Sequence, residues 1–297
     1  MKSFKISLHG SLLMDNHYCV DSFLLNSSNK CIRRYRSPGG IANLVNAFSD
    51  VCENSKISID AVVGDDENGK YLKRWFKTFN KLSTKVRIDS DIKVVKQKTS
   101  EATIISEMLN KRRSSIVSWG ACTKIKELKT CQADWSHVLY IDKLENITQN
   151  SMKEISRNSI TSIDLCTTDF DNSTRERIHD LLPYVDFVFS SREEAMHLAN
   201  KSKYSEAVKY LGNLSRLCAV VHSPKECSFY NKAEQEFESV VVPSVIKDPI
   251  NVNGAGDTFT ASFINAYLSG LSVKESIVNS HNNTFKILSK RIQNEKI

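Results

Sequence analysis

The sequence is short of the residues that mark non-globular or cross-linked proteins. Its 297 residues include only 5 prolines and 10 glycines, which excludes collagen and low-complexity disorder. The 8 cysteines form no C-x-x-C pair and no zinc-like spacing with histidine, so we expect reduced thiols and no metal or redox centre built on them. No apolar run approaches the roughly 20 residues that span a bilayer, and the N-terminus lacks a signal-peptide core. We therefore expect a soluble cytoplasmic protein without a membrane partner.

Charge of one sign is only slightly in excess. Lys and Arg number 41 against 34 Asp and Glu, which gives a formal net charge of +7. A nucleic-acid-binding surface usually concentrates its basic residues and interleaves them with aromatic ones, and the sequence has no such stripe. Its one modest basic cluster lies near the C-terminus, where it suits the end of a helix. We expect no nucleic-acid partner.

What the sequence does have is an alternation of short apolar runs and helix-length amphipathic segments. The predicted strands are residues 4–8, 57–63, 136–141, 160–164, 185–189 and 217–222. Runs that are apolar on both faces and separated by helices predict parallel strands buried in a sheet. Segments 40–48 and 70–79 each place apolar residues on one side, as helices that cover a sheet do. The alternation predicts a layered α/β protein.

Two segments interrupt this alternation. Residues 19–36 and 86–117 have the character of extended hairpins. We predict that they form a small β-lid over one end of the sheet, in insertions at about 16–37 and 86–118. Because the chain shows no internal repeat and no linker rich in Pro, Gly or Ser, we expect one domain over residues 1–297.

The most informative motif is Gly254-Ala255-Gly256-Asp257. From Asp257 onward apolar residues recur at helical spacing until Gly270, where a helix would end. The motif therefore lies at a helix N-terminus, where slender residues let backbone N–H groups approach an anion. Asp257 has two interpretations. It is an acidic residue that stabilises the first helical turn, or a general base that takes a hydroxyl proton while the amides hold a phosphoryl group.

Four motifs, in order and at the right spacing, resemble the ribokinase-like carbohydrate kinase family. Gly254-Ala255-Gly256-Asp257 resembles its D-T-x-G-A-G-D signature, and Pro38-Gly39-Gly40-Ile41-Ala42-Asn43 resembles its G-G-x-x-A-N. Residues 10–15 are similar to its first strand with a sugar-contacting aspartate, and residues 63–69 to its V-G-x-D-x-x-G turn. The resemblance covers about residues 6–290. It implies a three-layer α/β/α sandwich with a mostly parallel central sheet and a small β-lid.

The same resemblance implies ATP-dependent phosphorylation of a sugar or sugar-phosphate hydroxyl, with Mg²⁺ bridging the nucleotide phosphates. Asp257 would be the general base, and the amides of Gly254, Ala255 and Gly256 would form the anion hole. The substrate hydroxyls would be held by Asp15, Gly39, Gly40 and Asn43. From the residues alone, Asp15 is also interpretable as a turn aspartate, and the paired glycines as a turn that starts a helix.

On the nucleotide side, Ser191 and Glu194 resemble the family's N-x-x-E, which organises Mg²⁺ and phosphate. Here serine replaces the asparagine, and Ser-x-x-Glu before an apolar run is also a capping box. The two interpretations are compatible. The resemblance also places His222 beside the nucleotide and His281 or Asn282 near the adenine.

The sequence departs from the family at several of these positions. Asn251 stands where the family usually has a cation-binding aspartate, which argues against potassium dependence. Residues 222–227 lack the threonine and glycines of the nucleotide loop, and Pro224 removes a backbone N–H. His222 is then also interpretable as a partly buried residue at a strand end. These departures keep a second hypothesis open, namely a catalytically degenerate sugar-binding or regulatory relative of the same fold.

The substrate is indicated only loosely. Residues 163–170 are similar to a stretch in the heptose-phosphate kinases of the family, which favours a hexose or heptose phosphate over a nucleoside. Two carboxylates at predicted strand ends could meet a ligand or cation, or cap turns: Asp142 and Asp164. Three lid arginines could meet a substrate phosphate, or lie solvated on a strand edge: Arg33, Arg34 and Arg36. A homodimer through the lid, common in the family, would cover its exposed edges.

Overall fold

The computed structural model describes residues 3–223, 225–241 and 253–294. Its strands, β1 to β12 in chain order, are Phe4–Val20, Cys31–Gly40, Ser55–Gly64, Val86–Val95, Ser100–Glu107, Arg112–Ser118, Trp135–Leu139, Ile160–Asp164, Phe187–Ser191, Cys218–His222, Glu226–Asn231 and Glu236–Val241. Its helices, α1 to α8, are Ile41–Val51, Glu67–Leu82, Gln149–Ser156, Asn172–Leu181, Arg192–Ala199, Tyr204–Leu214, Ala255–Leu268 and Val273–Asn294. All six strands predicted from the sequence are present.

The centre of the main sheet is parallel. Its described strands run in the order β12-β11-β10-β9-β8-β7-β1-β3-β4. Neighbours from β10 to β4 pair in parallel, whereas β11 and β12 pair antiparallel at one edge. Parallel pairing needs a crossover between strands, which the helices supply.

Helices cover both faces of this sheet. Successive strand residues point to opposite faces, and in β9 Phe187 and Phe189 join one core whereas Val188 joins the other. The first core contains residues of α1, α2, α7 and α8, and the second contains residues of α3 to α6. The predicted three-layer α/β/α sandwich is confirmed.

The lid is a continuation of β1. Residues 4–11 of this strand pair within the main sheet, and residues 12–20 pair with β2 and β5. β6 adds an outer strand against β5. The first lid segment therefore begins earlier than residue 16 and ends at Gly40.

The predicted start of the second lid segment at residue 86 is wrong. Residues 86–95 form β4, which pairs with β3 in the main sheet, and the lid segment begins at Ser100. The cause is the edge position of β4, where six of the ten residues are exposed. Its polar–apolar alternation therefore resembles that of a lid hairpin. That residues 1–297 form one domain stays a prediction.

Within the described ranges, no helix combines the length and apolar character needed to cross a membrane.

Candidate active site

A cleft of about 480 Å³ lies at the carboxyl ends of the central strands, under the lid. This is the edge at which α/β sheets bind ligands. The cleft brings together most of the residues singled out in the sequence: Asp15, Gly40, Asn43, Ser191, Glu194, His222, Gly254, Ala255, Gly256 and Asp257. Residues from positions 15 to 257 therefore meet in one site.

The N-terminus of α7 forms one wall of the cleft. Gly254 precedes the helix in a left-handed conformation, with φ 75°, which favours glycine. Gly254, the N-cap residue, has no side chain with which to cap this end, and the first amides of a helix have no partner within it. The amides that follow Gly254 therefore suit an anion. Gly270, with φ 96°, follows the end of the helix as predicted.

Asp257 lies in the first turn of α7 and lines the cleft. Burial raises its pKa to about 8, and the negative charges of Asp164 and Asp15 add to the rise, whereas Arg113 opposes it. An acidic residue that only stabilised the helix end would gain from being ionised. A carboxyl group whose pKa lies near neutral pH can both take up and release a proton under physiological conditions.

Asp15 faces the cleft from the middle of β1, where it pairs with Ser37 of β2. It is a strand residue, so its interpretation as a turn aspartate is wrong. Burial raises its pKa to about 6, although hydrogen bonds from Asn253 and Asn43 act to lower this pKa. Asn253 Nδ2 donates to Asp15 Oδ2 at 3.0 Å.

Gly39 and Gly40 are both positions where a side chain would overlap another part of the protein, and one of them lines the cleft. A Cβ on Gly39 would overlap the Asp15 carboxylate, and Gly39 does not line the cleft. Gly40 does line it, has φ 61°, and a Cβ there would overlap the Ser11 carbonyl oxygen. The predicted close approach of a ligand to the backbone is thus limited to Gly40, and Gly39 gives Asp15 its space.

Ser191 and Glu194 form the predicted capping box at the start of α5. Ser191 N donates to Glu194 Oε2 at 2.8 Å, and Glu194 N donates to Ser191 Oγ at 3.3 Å. Both residues also line the cleft. Burial raises the pKa of Glu194 to about 7, and the charges of Asp164 and Asp142 add to the rise. The capping box therefore does not remove either residue from the cleft.

The other three residues predicted on the nucleotide side, namely His222 beside the nucleotide and His281 or Asn282 near the adenine, are separated in the structure. His222 ends β10 and lines the cleft, with its pKa lowered to about 4 by burial, so it is neutral. His281 is buried behind it, where its ring centroid lies 5.0 Å from that of Phe259. Asn282 is exposed. Neither His281 nor Asn282 lines the cleft, and Asn251 and Pro224 lie outside the described residues.

The two strand-end carboxylates also differ. Asp164 lines the cleft, and its Oδ1 accepts from Tyr140 N at 2.7 Å. Asp142 is buried beside it, where its Oδ1 accepts from Cys166 N at 2.9 Å. Asp142 therefore shapes the loop, and Asp164 is the one that reaches the cleft.

Sequence reasoning missed two polar residues and the aromatic wall. Arg113 on the lid strand β6 donates through Nη2 to Asn253 Oδ1 at 2.7 Å. Trp119 and Tyr140 line the cleft with ring centroids 6.2 Å apart, and Tyr140 has φ 60°. No local motif carries Arg113, because its partner is 140 positions away in the chain.

The predicted phosphate contacts of the other lid arginines lack support in the cleft, which none of them lines. Arg33 lies over the ring of Tyr35, and Arg34 over the ring of Tyr18. Arg36 donates to Asn16 Oδ1 at 2.8 Å. Its Nη2 also donates to Asn68 Oδ1 on α2. Arg33 and Arg34 therefore pack on the lid itself, and Arg36 also joins the lid to α2.

Comparison with known proteins identifies the family of the chain. Residues 3–282 match the pfkB family carbohydrate kinases. The chain belongs to this family. An adenosine kinase of Dictyostelium discoideum is 22% identical over 280 residues, which cover 84% of this chain and 78% of that protein. The pfkB family members are kinases, enzymes that transfer a phosphoryl group from ATP.

Solved structures of pfkB-type kinases share the fold. An adenosine kinase from Sinorhizobium meliloti has a TM-score of 0.78 at 18% identity, over 96% of this chain and 94% of its own. A ribokinase from Thermotoga maritima has a TM-score of 0.72 at 20% identity, over 94% and 90%. At such identities the likeness concerns the fold, so the site has to be argued from its own residues.

This pfkB kinase has a donor set that fits Mg²⁺ in one particular way. The described residues contain no group of three or more His, Cys, Asp or Glu arranged to hold a metal ion. Mg²⁺ in nucleotide sites usually takes one or two carboxylates, with phosphates and waters completing its shell. The carboxylates of Glu194 and Asp164 in the cleft suit that mode.

Proposed function

We propose that this pfkB kinase transfers the γ-phosphoryl group of ATP to a hydroxyl of a sugar or sugar phosphate. The observation that carries the proposal is the pairing of Asp257 with the uncapped N-terminus of α7 in one cleft, with Asp15 nearby. A proton acceptor beside an anion-binding site is what phosphoryl transfer to an alcohol requires.

In the proposed reaction the Asp15 carboxylate accepts hydrogen bonds from the acceptor hydroxyls. The Asn43 amide donates a hydrogen bond to one of these hydroxyls. Asp257 takes the proton of the reacting hydroxyl as its oxygen bonds to the γ-phosphorus. The bond between that phosphorus and the β–γ bridging oxygen breaks, and ADP leaves. The amides of Gly254, Ala255 and Gly256 hold the oxygens of the phosphoryl group in transit.

On the nucleotide side, Glu194 would hold Mg²⁺ together with the ATP phosphates, and Ser191 fixes Glu194 through the capping box. When bound, Mg²⁺ neutralises phosphate charge. His222 contacts the nucleotide as a neutral ring, with His281 behind it. Asn282, an exposed residue of α8 outside the cleft lining, is assigned to the adenine side by the family resemblance.

The acceptor has two candidate classes. The similarity of residues 163–170 to heptose-phosphate kinases supports a sugar phosphate. A nucleoside is supported by the apolar side of the cleft and by the similarity to adenosine kinases. That apolar side consists of Leu13, Ala102, Ile104, Val117 and Trp119, which suits a planar group. Measuring ADP release with hexoses, heptose phosphates, ribose and nucleosides tells the classes apart.

Exposed apolar side chains support a homodimer formed through the lid: Phe23, Leu24, Leu25, Ile32, Leu109 and Ile116. Ile32 and Ile116 lie on the outer lid strands β2 and β6, and the other four lie in the connections between lid strands. Exposed apolar residues on edge strands and in patches are commonly covered by a partner. Sedimentation of the natural chain should give a dimer, and Ile116→Glu should shift it to a monomer.

The decisive experiment compares Asp257→Asn with the natural chain. We expect turnover to fall by roughly 10²–10⁴, the usual effect of losing a general base, in an ADP-release assay with the best acceptor. The matched control is Asp180→Asn, an exposed carboxylate on α4. Near-normal turnover of Asp257→Asn with bound acceptor would remove Asp257 from the mechanism.

The competing hypothesis of a degenerate binding protein makes a different prediction. A ligand at 100 times its Kd stabilises a protein by about 2.7 kcal/mol, which a thermal-shift assay detects. A shift with a sugar, no shift with Mg²⁺-ATP and no ADP release would favour the degenerate relative. Shifts with both ligands and ADP release would favour the kinase.

The pH dependence provides a further test of the base. Because the pKa of Asp257 is raised to about 8, the carboxylate is mostly protonated at neutral pH. A base has to be ionised, so kcat/KM should rise as the pH increases through about 8. A kcat/KM that stayed constant between pH 6 and 9 would contradict the assignment.

A further inference from the structure

Arg113 is placed where the phosphoryl group would pass. It lies on β6 of the lid, yet its guanidinium reaches Asn253, the residue directly before the anion hole. The hydrogen bond from Nη2 to Asn253 Oδ1 is 2.7 Å long. The lid thus delivers a positive charge to the N-terminus of α7.

The surroundings of Arg113 are acidic. The described side chains that line the cleft include four carboxylates: Asp15, Asp164, Glu194 and Asp257. Among the described residues that line the cleft, Arg113 is the one Lys or Arg. Its charge opposes the burial that raises the pKa of both Asp15 and Asp257. Arg113 is therefore close to the group proposed to hold the acceptor and to the group proposed to deprotonate it.

Asn253 makes hydrogen bonds to three different elements, and these bonds hold Arg113 beside the N-terminus of α7. Its Oδ1 accepts from Arg113, and its Nδ2 donates to Asp15 Oδ2 at 3.0 Å. Its backbone oxygen accepts from Arg291 Nη1 on α8 at 3.2 Å. The lid, the first strand and the last helix are thereby joined at the residue that precedes the anion hole.

We propose that Arg113 is a catalytic residue carried by the lid, which contacts the phosphoryl group in transit, and that Asn253 positions it. The inference rests on the proposed function. During transfer the charge spreads over the phosphoryl oxygens, and a guanidinium that contacts them stabilises the transition state. The planar fork of arginine can hold Asn253 through one nitrogen and a phosphoryl oxygen through another.

The test compares Arg113→Ala with Arg112→Ala, a neighbouring arginine on the same strand that does not line the cleft. We expect Arg113→Ala to lower kcat by about 10³, the scale of an arginine that stabilises this transition state, with the acceptor KM changed by less than about threefold. Arg113→Lys should recover part of kcat, because it keeps the charge and loses the fork. Arg112→Ala should match the natural chain.

Two further readouts separate a chemical role from a structural one. The groups that face Asp257 are Asp164, Asp15 and Arg113, with Tyr140 and His222 lining the same cleft. Removal of the cation should therefore move the rise of kcat/KM to higher pH. In addition, aluminium fluoride mimics the phosphoryl group in transit. With ADP and Mg²⁺ it should raise the melting temperature of the natural chain beyond ADP alone, and Arg113→Ala should lose that increment but keep the ADP shift.

The outcomes are distinct. A kcat reduced less than tenfold in Arg113→Ala, with the aluminium fluoride increment intact, overturns the inference. A raised KM confined to phosphorylated acceptors, at unchanged kcat, also overturns it and makes Arg113 a substrate contact. If the natural chain releases no ADP with any acceptor, the proposed function fails instead, and the aluminium fluoride increment still decides on Arg113.

Discussion

At the scale of single residues, the absence of a side chain at Gly39 leaves the space that the Asp15 carboxylate occupies. A Cβ at position 39 would overlap the Asp15 side chain, and Asp15 is held by a hydrogen bond from Asn253. Gly39→Ala should therefore displace Asp15 from the cleft. We expect the acceptor KM to rise by at least tenfold, and stability to fall by about 1–3 kcal/mol, as for other overpacked sites.

Gly270→Ala provides the comparison for this prediction. Gly270 follows α7 at φ 96° with open space around it, so alanine there strains the backbone far from the cleft. It should lower stability by about 1 kcal/mol and leave the acceptor KM unchanged in the same ADP-release assay. If Gly39→Ala behaved like Gly270→Ala, Asp15 would not depend on the space that Gly39 leaves.

The sequence predicted the residues of this site that belong to local motifs. Asp257 and Glu194 were found because a helix start leaves a spacing signal in the chain. Arg113 and Asn253 leave none, since their contact depends on how the lid strand β6 registers against β5. The role of Gly39 was also hidden, because the group it accommodates is a side chain from another strand.

At the scale of elements, α5 begins with a capping box whose two residues also line the cleft. The side-chain and backbone bonds between Ser191 and Glu194 close the first turn, while Glu194 lines the cleft. Ser191→Ala removes the cap and should lower the free energy of unfolding by about 1 kcal/mol. Denaturant titration measures this loss.

Glu194→Gln separates capping from the proposed contact with Mg²⁺. Glutamine can still accept the bond from Ser191 N, as capping boxes allow, so most of the stability should remain. The negative charge toward Mg²⁺ is lost, and we expect the KM for Mg²⁺-ATP to rise by at least tenfold. An unchanged KM would leave Glu194 with the capping role alone.

The predictability of elements followed their burial. The central strands β7 to β10 are buried along almost their whole length, and the sequence predicted them to within a few residues. β4 at the sheet edge alternates between buried and exposed residues, as a lid hairpin would. Periodicity reports how many faces of a strand are covered, and it does not report which sheet covers them.

At the scale of the whole molecule, the cleft concentrates carboxyl groups that the fold holds partly out of water. Burial raises the pKa of Asp15 to about 6, of Glu194 to about 7 and of Asp257 to about 8. The folded state therefore binds protons that the unfolded chain has released. A site shaped for phosphoryl transfer thus makes the fold depend on pH.

The sign of that dependence is defined. The stabilisation is complete below about pH 4, where these groups are protonated in both states, and it is lost as the pH rises through about 6, 7 and 8. The melting temperature of the natural chain should fall between pH 5 and pH 9. Asp257→Asn removes the group with the highest pKa of the three, so this variant should melt above the natural chain at pH 9 and near it at pH 5.

Asp66→Asn supplies the control of opposite sign. Although burial opposes it, hydrogen bonds from Thr99 and Gly69 lower the pKa of Asp66 at the start of α2. Its stabilisation is present at neutral pH and is lost as the pH falls through the lowered pKa. Asp66→Asn should therefore have a lower melting temperature than the natural chain at pH 7, and this difference should narrow in acid.

If Asp257→Asn melted below the natural chain at pH 9, the Asp257 carboxylate would be stabilised by partners in the cleft. It would then not be the poised base that phosphoryl transfer needs.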